Sequence, residues 1–240
     1  MFYHLLYPLH IHFSAFNVFR YLTFRSIGAA VTAFLILFLS GPLFIRWLQK
    51  KQIGQVVRDD GPESHFSKKG VPTMGGLLIL IAITGSTLLW ADLSNSLVWV
   101  CLLLTLFYGL IGSVDDWKKV AKSNTKGLSA RGKLILQVMG ACTVGLFLHF
   151  HPGYDGTLSL PFFKGVQPDL GWWYIPFAVA VIVGSSNAVN LTDGLDGLAS
   201  GTVMITAVVY FIFAYIAGNV LIAGYLQIPY VLGAGEVGVF

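Results

Sequence analysis

The chain has 240 residues, of which 55% are hydrophobic and only 11% charged, with a formal net charge of +4. Soluble domains of this size carry about a quarter charged residues, so a water-exposed globule is excluded and an all-α, polytopic membrane protein is expected. A pI near 9.0 would suggest nucleic acid in a soluble protein; here membrane topology accounts for the basic excess, and no nucleic-acid partner is expected.

The chain opens with a polar-aromatic stretch containing His4, His10 and His12. These read as interfacial histidines, and no cleavable signal precedes the first long apolar run. A helix needs about 20 mostly apolar residues to cross a bilayer. Six segments meet that length or come close: 26–45, 71–91, 93–114, 134–150, 170–192 and 197–217. Small residues such as Gly28, Ala29 and Ala30 in the first permit close helix contact, as a homodimer would need, without naming the partner. Cys101 and Cys142 lie inside apolar runs and read as small buried side chains. Residues 219–235, interrupted by Gly218, Asn219 and Pro229, read as an interfacial or external connection.

Charge gives the orientation. Arg46, Lys50, Lys51, Arg58, Lys68 and Lys69 lie between the first two spans, and Lys118, Lys119, Lys122, Lys126, Arg131 and Lys133 between the third and fourth. These loops share a side, which the positive-inside rule makes cytoplasmic. The amino terminus is then outside, as is the 151–169 connection, where "GYDGTLSLPFF" suggests a short β-hairpin. The expected cytoplasmic loops are about 46–70, 115–133 and 191–197, within one integral-membrane domain spanning 1–240. Asp59, Asp60, Glu63, Asp115, Asp116, Asp193 and Asp196 fall on this same side. The positive-inside rule asks nothing of acids, so their clustering calls for another cause.

Three loops hold that clustering. In "GSVDDWKKVAKSNTKGLSARGK", Asp115 and Asp116 directly follow an apolar helix. They read either as solvated helix-end residues or as a pair whose mutual repulsion is relieved by a divalent ion such as Mg²⁺. In "NAVNLTDGLDGLA", Asp193 and Asp196 would share one face of a helix, whereas Gly194 and Gly197 suggest a broken turn that lets backbone approach a ligand. Asn187 and Asn190 stand on the preceding turns, and polar groups at this depth are usually functional. In "RDDGPESHFSKKGVPTMGG", Lys68 and Lys69 precede a helix start that could seat an anion. Paired acids, amides and lysines on one membrane face fit phosphoryl transfer, with a lipid-borne phosphate as the attacking group.

The segments "GPESHFSKKGVPTMGG", "VDDWKK", "NTKGL" and "NAVNLTDGLDGLA" resemble those of the phospho-N-acetylmuramoyl-pentapeptide transferases, members of the polyprenyl-phosphate N-acetylhexosamine-1-phosphate transferase superfamily. The likeness runs from about Phe16 to the end. It implies transfer of phospho-MurNAc-pentapeptide from UDP-MurNAc-pentapeptide to undecaprenyl phosphate, with Mg²⁺, giving lipid I and UMP for peptidoglycan synthesis in the bacterial inner membrane. It also implies that Asp115 is the base or orienting acid, with Asp116 beside it, and that both are candidate metal ligands. Asn190, Asp193 and Asp196 would line the cleft; Gly194, Leu195 and Asp196 would approach the uridine; Lys68, Lys69 and Lys133 would contact phosphates. Family members have about ten spans and a later acidic loop bearing the main Mg²⁺ ligand, so this chain reads as an amino-terminal portion. A sister sugar-phosphate transferase, an inactive remnant or partner, and an ion-conducting protein are the rival readings.

Overall fold

The computed structural model describes residues 1–51, 74–121, 127–151, 153–154, 156–160, 163, 166–193 and 197–240. Its helices are α1 (Phe2–Leu6), α2 (Leu22–Lys50), α3 (Gly76–Trp90), α4 (Ser96–Ala121), α5 (Ala130–Phe150), α6 (Tyr174–Thr192), α7 (Leu198–Ala217) and α8 (Val220–Leu226), with short 3₁₀ segments at 7–11, 14–20, 171–173 and 234–239. The all-α, polytopic expectation holds. Among the described residues, five helices are long and apolar enough to cross a membrane: Leu22–Lys50, Ser96–Ala121, Ala130–Phe150, Gly171–Thr192 and Leu198–Ala217.

The remaining segment, expected at 71–91, forms the 15-residue α3. At 1.5 Å per residue it covers about 22 Å, short of a hydrocarbon core of about 30 Å. Residues 71–73 lie outside the described residues. Conversely, α2 runs to 29 residues, because the apolar stretch is flanked by residues that continue a helix. Pro42 inside it removes one main-chain donor, a loss that membrane helices tolerate. In place of a hairpin, the described part of 151–169 has one isolated antiparallel bridge, Thr157 to Asp169. Gly153 and Gly156 turn the chain there with φ of +87° and +72°.

The helices pack in chain order as antiparallel neighbours, with α5 between α4 and α6. One end of the bundle therefore collects the end of α2, the end of α4, the start of α5, the end of α6 and the start of α7. The opposite end holds the best-packed part of the molecule. Ala29, Ala91, Val98 and Val239 form a buried cluster, with Leu22 and Trp90 against it. The Trp90 indole N–H donates to Thr32 Oγ1 at 2.9 Å, and its ring lies against Gly28, where no side chain would fit. The small residues of α2 thus meet α3 of the same chain.

A buried ion pair closes this end. Arg25 is 2% exposed, and its guanidinium donates to both oxygens of Glu236, at 2.6 and 2.5 Å. The Tyr3 ring lies 4.6 Å from it. Glu236 also accepts from the Asp92 N–H at 3.2 Å, and the Asn95 amide donates to the Gly233 carbonyl at 2.8 Å. The carboxyl-terminal stretch is thereby folded back over the ends of α2, α3 and α4. Removing one partner of such a pair strands a buried charge, at a cost of about 3–5 kcal/mol, whereas an apolar replacement of both is close to neutral. Glu236→Leu should accordingly lower the thermal midpoint of the purified protein in detergent more than Arg25→Leu combined with Glu236→Leu; equal midpoints would show that the pair carries no such weight.

Candidate active site

The site residues come from the lysine-bearing end. The uncharged part of α4 stops at Val114, and the helix continues for two further turns that carry Asp115, Asp116, Lys118 and Lys119. Lys119 is four residues after Asp115 and three after Asp116, spacings that bring side chains together on a helix surface. Its ammonium lies 2.7 Å from Asp115 Oδ2 and 3.2 Å from Asp116 Oδ1. The cation that balances the two acids is therefore supplied by their own helix. Sequence reasoning treated Lys119 only as part of the inside charge; the intervals of three and four were the signal that could have found it.

Asp115 has a second anchor. The Leu128 N–H donates to its Oδ1 at 2.6 Å, which ties the "NTKGL" connection back onto α4. Gly127 makes that approach feasible. A Cβ there would stand 2.1 Å from Asp115 Oδ1, far inside contact distance. Directly after, Ser129 caps α5 by accepting from the Gly132 N–H at 3.2 Å. Lys133 follows in the first turn of α5 and adds to the positive field on Asp115. Partial burial raises the proton affinity of the Asp115 carboxyl. The hydrogen bonds from Lys119 and Leu128 and the charges of Lys119 and Lys133 outweigh it, and the pKa lies below its ordinary value. At neutral pH the group is a carboxylate.

On α6, Asn190 stands one turn before the end and Asp193 caps it, with its N–H on the Val189 carbonyl at 3.2 Å. Both side chains are exposed. Gly197 stands at the start of α7 with φ of +82°; the three residues between it and Asp193 lie outside the described residues. Among the described residues no hydrogen bond or ion pair joins Asn190 or Asp193 to the Asp115 cluster. Lys68, Lys69, Gly194, Leu195 and Asp196 lie outside the described residues.

Mg²⁺ takes oxygen ligands, usually one or two carboxylates completed by substrate phosphates and water. Asp115 and Asp116 match that partial donor set, with Lys119 now bridging them. Among the described residues no group of three or more His, Cys, Asp or Glu side chains converges on a metal-sized site.

Residues 98–235 match the profile of Glycosyl transferase family 4, which takes in α4 from Val98 onward, α5 and α6, and so every described residue of this cluster. Over its whole length the chain is also 67% identical to a phospho-N-acetylmuramoyl-pentapeptide-transferase of Desulfotalea psychrophila. It is 59% identical over 239 residues to one of Geobacter sp. strain M21 and 57% identical over 239 residues to one of Pelobacter propionicus. The chain spans 67% of the length of each of these relatives. It belongs to the phospho-N-acetylmuramoyl-pentapeptide-transferase family, a family of membrane transferases.

The link between α4 and the "NTKGL" connection is open to test. Gly127→Ala would drive a methyl group into the Asp115 carboxylate, and Lys119→Met would leave that carboxylate without its ammonium partner. Each should lower the turnover of the full-length protein by about tenfold or more while its thermal midpoint falls by only a few degrees; misplacing a reacting group by about 1 Å has a cost of this order.

Proposed function

We propose that this protein transfers phospho-MurNAc-pentapeptide from UDP-MurNAc-pentapeptide to undecaprenyl phosphate, releasing UMP and forming lipid I. The observation that carries the reading is the carboxylate pair Asp115 and Asp116. It is clamped by Lys119 where α4 leaves its apolar segment, on the end that also bears Lys133 and Asp193. An acceptor whose phosphate sits on a lipid must react at that level. The names and identities of the relatives support the same reaction.

In this reading a phosphate oxygen of the lipid carrier attacks the β-phosphorus of the donor. The bond from that phosphorus to the bridging oxygen breaks, and the bridging oxygen leaves with UMP. Asp115 orients the attacking phosphate and takes its proton where one is present. Both Asp115 oxygens already accept hydrogen bonds, which suits an orienting base better than a nucleophile. Asp116 stands beside it, and Asn190, Asp193 and Asp196 line the cleft. Gly194, Leu195 and Asp196 approach the uridine, while Lys68, Lys69 and Lys133 meet the diphosphate. Asp115 and Asp116 would hold Mg²⁺, whose contribution is to neutralise charge on the phosphates. The lysine-bearing end faces the cytoplasm of a bacterium and the amino terminus faces outward, in keeping with the positive-inside rule.

Two experiments test this. UMP release by the full-length protein from UDP-MurNAc-pentapeptide and undecaprenyl phosphate should stop with a chelator and return with Mg²⁺. Asp115→Asn and Asp193→Asn should each reduce it by about 10²–10⁴-fold, the usual worth of a positioned acid or base. Full activity in both variants, or equal turnover of UDP-GlcNAc, would overturn the assignment. For orientation, a cysteine at Lys118 should react with a membrane-impermeant maleimide only after cells are opened, and one at Ser94 in intact spheroplasts.

A further inference from the structure

One polar contact joins α5 and α6 one to two turns deeper than the site itself. Gln137 of α5 is 4% exposed and has apolar neighbours in sequence on both sides. The Asn187 amide of α6 donates to Gln137 Oε1 at 3.0 Å and to the Val183 carbonyl at 2.8 Å. Both N–H bonds of that amide group are thus used, and the direction of the side chain is set. From the other side, the Tyr108 hydroxyl of α4 donates to the main-chain carbonyl of Gln137 at 2.8 Å. Among the described residues, Asn187 to Gln137 is the only side-chain hydrogen bond between α5 and α6.

The intervals along each helix connect this layer with the site. Tyr108 precedes Asp115 by seven residues, Gln137 follows Lys133 by four, and Asn187 precedes Asn190 by three. Separations of three, four and seven return to one side of a helix. Each member of this polar layer therefore stands beneath a site residue on its own helix. A helix that slips by one residue moves about 1.5 Å and turns by about 100°, enough to carry Asn190 out of reach of a substrate seated on α4 and α5. Apolar side chains could hold α5 and α6 together equally well, but they would accept several registers. A paired amide accepts one, and fixing register is the best-attested use of a buried polar contact.

We propose that the Asn187–Gln137 bond is a positioning contact for phosphoryl transfer, which holds the Asn190 and Asp193 end of α6 in register with Lys133 and Asp115. The proposal rests on the transferase reading of the site. Its residues touch no substrate; they act through the helix ends above them.

The test compares the full-length parent protein with Gln137→Met, Asn187→Leu and the exchange Gln137→Asn with Asn187→Gln. The exchange keeps the amide pair and moves one methylene from one helix to the other. UMP release and thermal midpoint are measured for all four. The single variants should fold with midpoints near the parent's, lose kcat by roughly ten- to a hundredfold, as misplaced reacting groups do, and change KM for the UDP-sugar by less than about threefold, since neither side chain meets it. The exchange should recover most of the rate. Single variants with parental kcat, or a folded exchange no faster than they are, would overturn the proposal. Single variants that fail to fold would mark the pair as structural only and overturn it equally. A parent that releases no UMP would refute the transferase reading, and the inference would fall with it; a parent that is active alongside fully active single variants would refute the inference alone.

Discussion

Hydrocarbon offers no hydrogen bonds, so every backbone polar group that this chain carries into the bilayer must be met within the chain, and an unmet side-chain group is costly. That constraint shapes the molecule more than apolar packing does. The lipid-facing helices bury little against one another, and α7 contributes no buried residue at all. What holds neighbouring helices in a definite relation is a small set of polar contacts: Trp90 to Thr32, Tyr108 to the Gln137 carbonyl, and Asn187 to Gln137. Each is worth little in isolation. In a membrane each also excludes alternatives, because a wrong register strands the same groups in lipid.

The two ends of the bundle resolve this constraint in different ways. At the end away from the lysines, Arg25 and Glu236 neutralise one another, Tyr3 covers the guanidinium, and the carboxyl-terminal stretch folds over the helix ends. That end is tied by long-range contacts and sets the frame. At the other end the ties are local. Lys119 answers Asp115 and Asp116 from the same helix, and Leu128 closes a short connection. Asn190 and Asp193 are exposed at the corresponding end of α6. A fixed frame below and unspent donors and acceptors above is the arrangement expected of a site that must admit a charged substrate from water and a phosphate from lipid.

The sequence was most legible where a single physical rule dominates. Apolar length against bilayer thickness located the apolar helices, and at 71–91 the described helix is 15 residues long. Alternation in "GYDGTLSLPFF" suggested a hairpin, but the described residues there form one isolated bridge, because period-two patterning does not supply a partner strand by itself. The acids were visible as an excess that topology could not explain. Their partners were less so. Lys119 was hidden among lysines with an adequate orientational reason to be present, and the Leu128 N–H has no side-chain signature at all. Asn187 stood out as a polar residue in an apolar run, but its partner, fifty residues away on another helix, could not be inferred from one chain's pattern.

By itself the sequence determined the class of protein, the approximate spans, the excess of acids near the lysine-rich segments, and, through four short motifs, the transferase lineage. These follow from local quantities: hydropathy over a window, charge between windows, and residue order. Only the tertiary structure decided which cation answers Asp115, why Gly127 is needed beside it, that Gly28 lies against Trp90, and that Gln137 meets Asn187. Those are contacts between elements distant in sequence or between side chain and main chain, and their existence depends on helix rotation and register, which no local pattern contains.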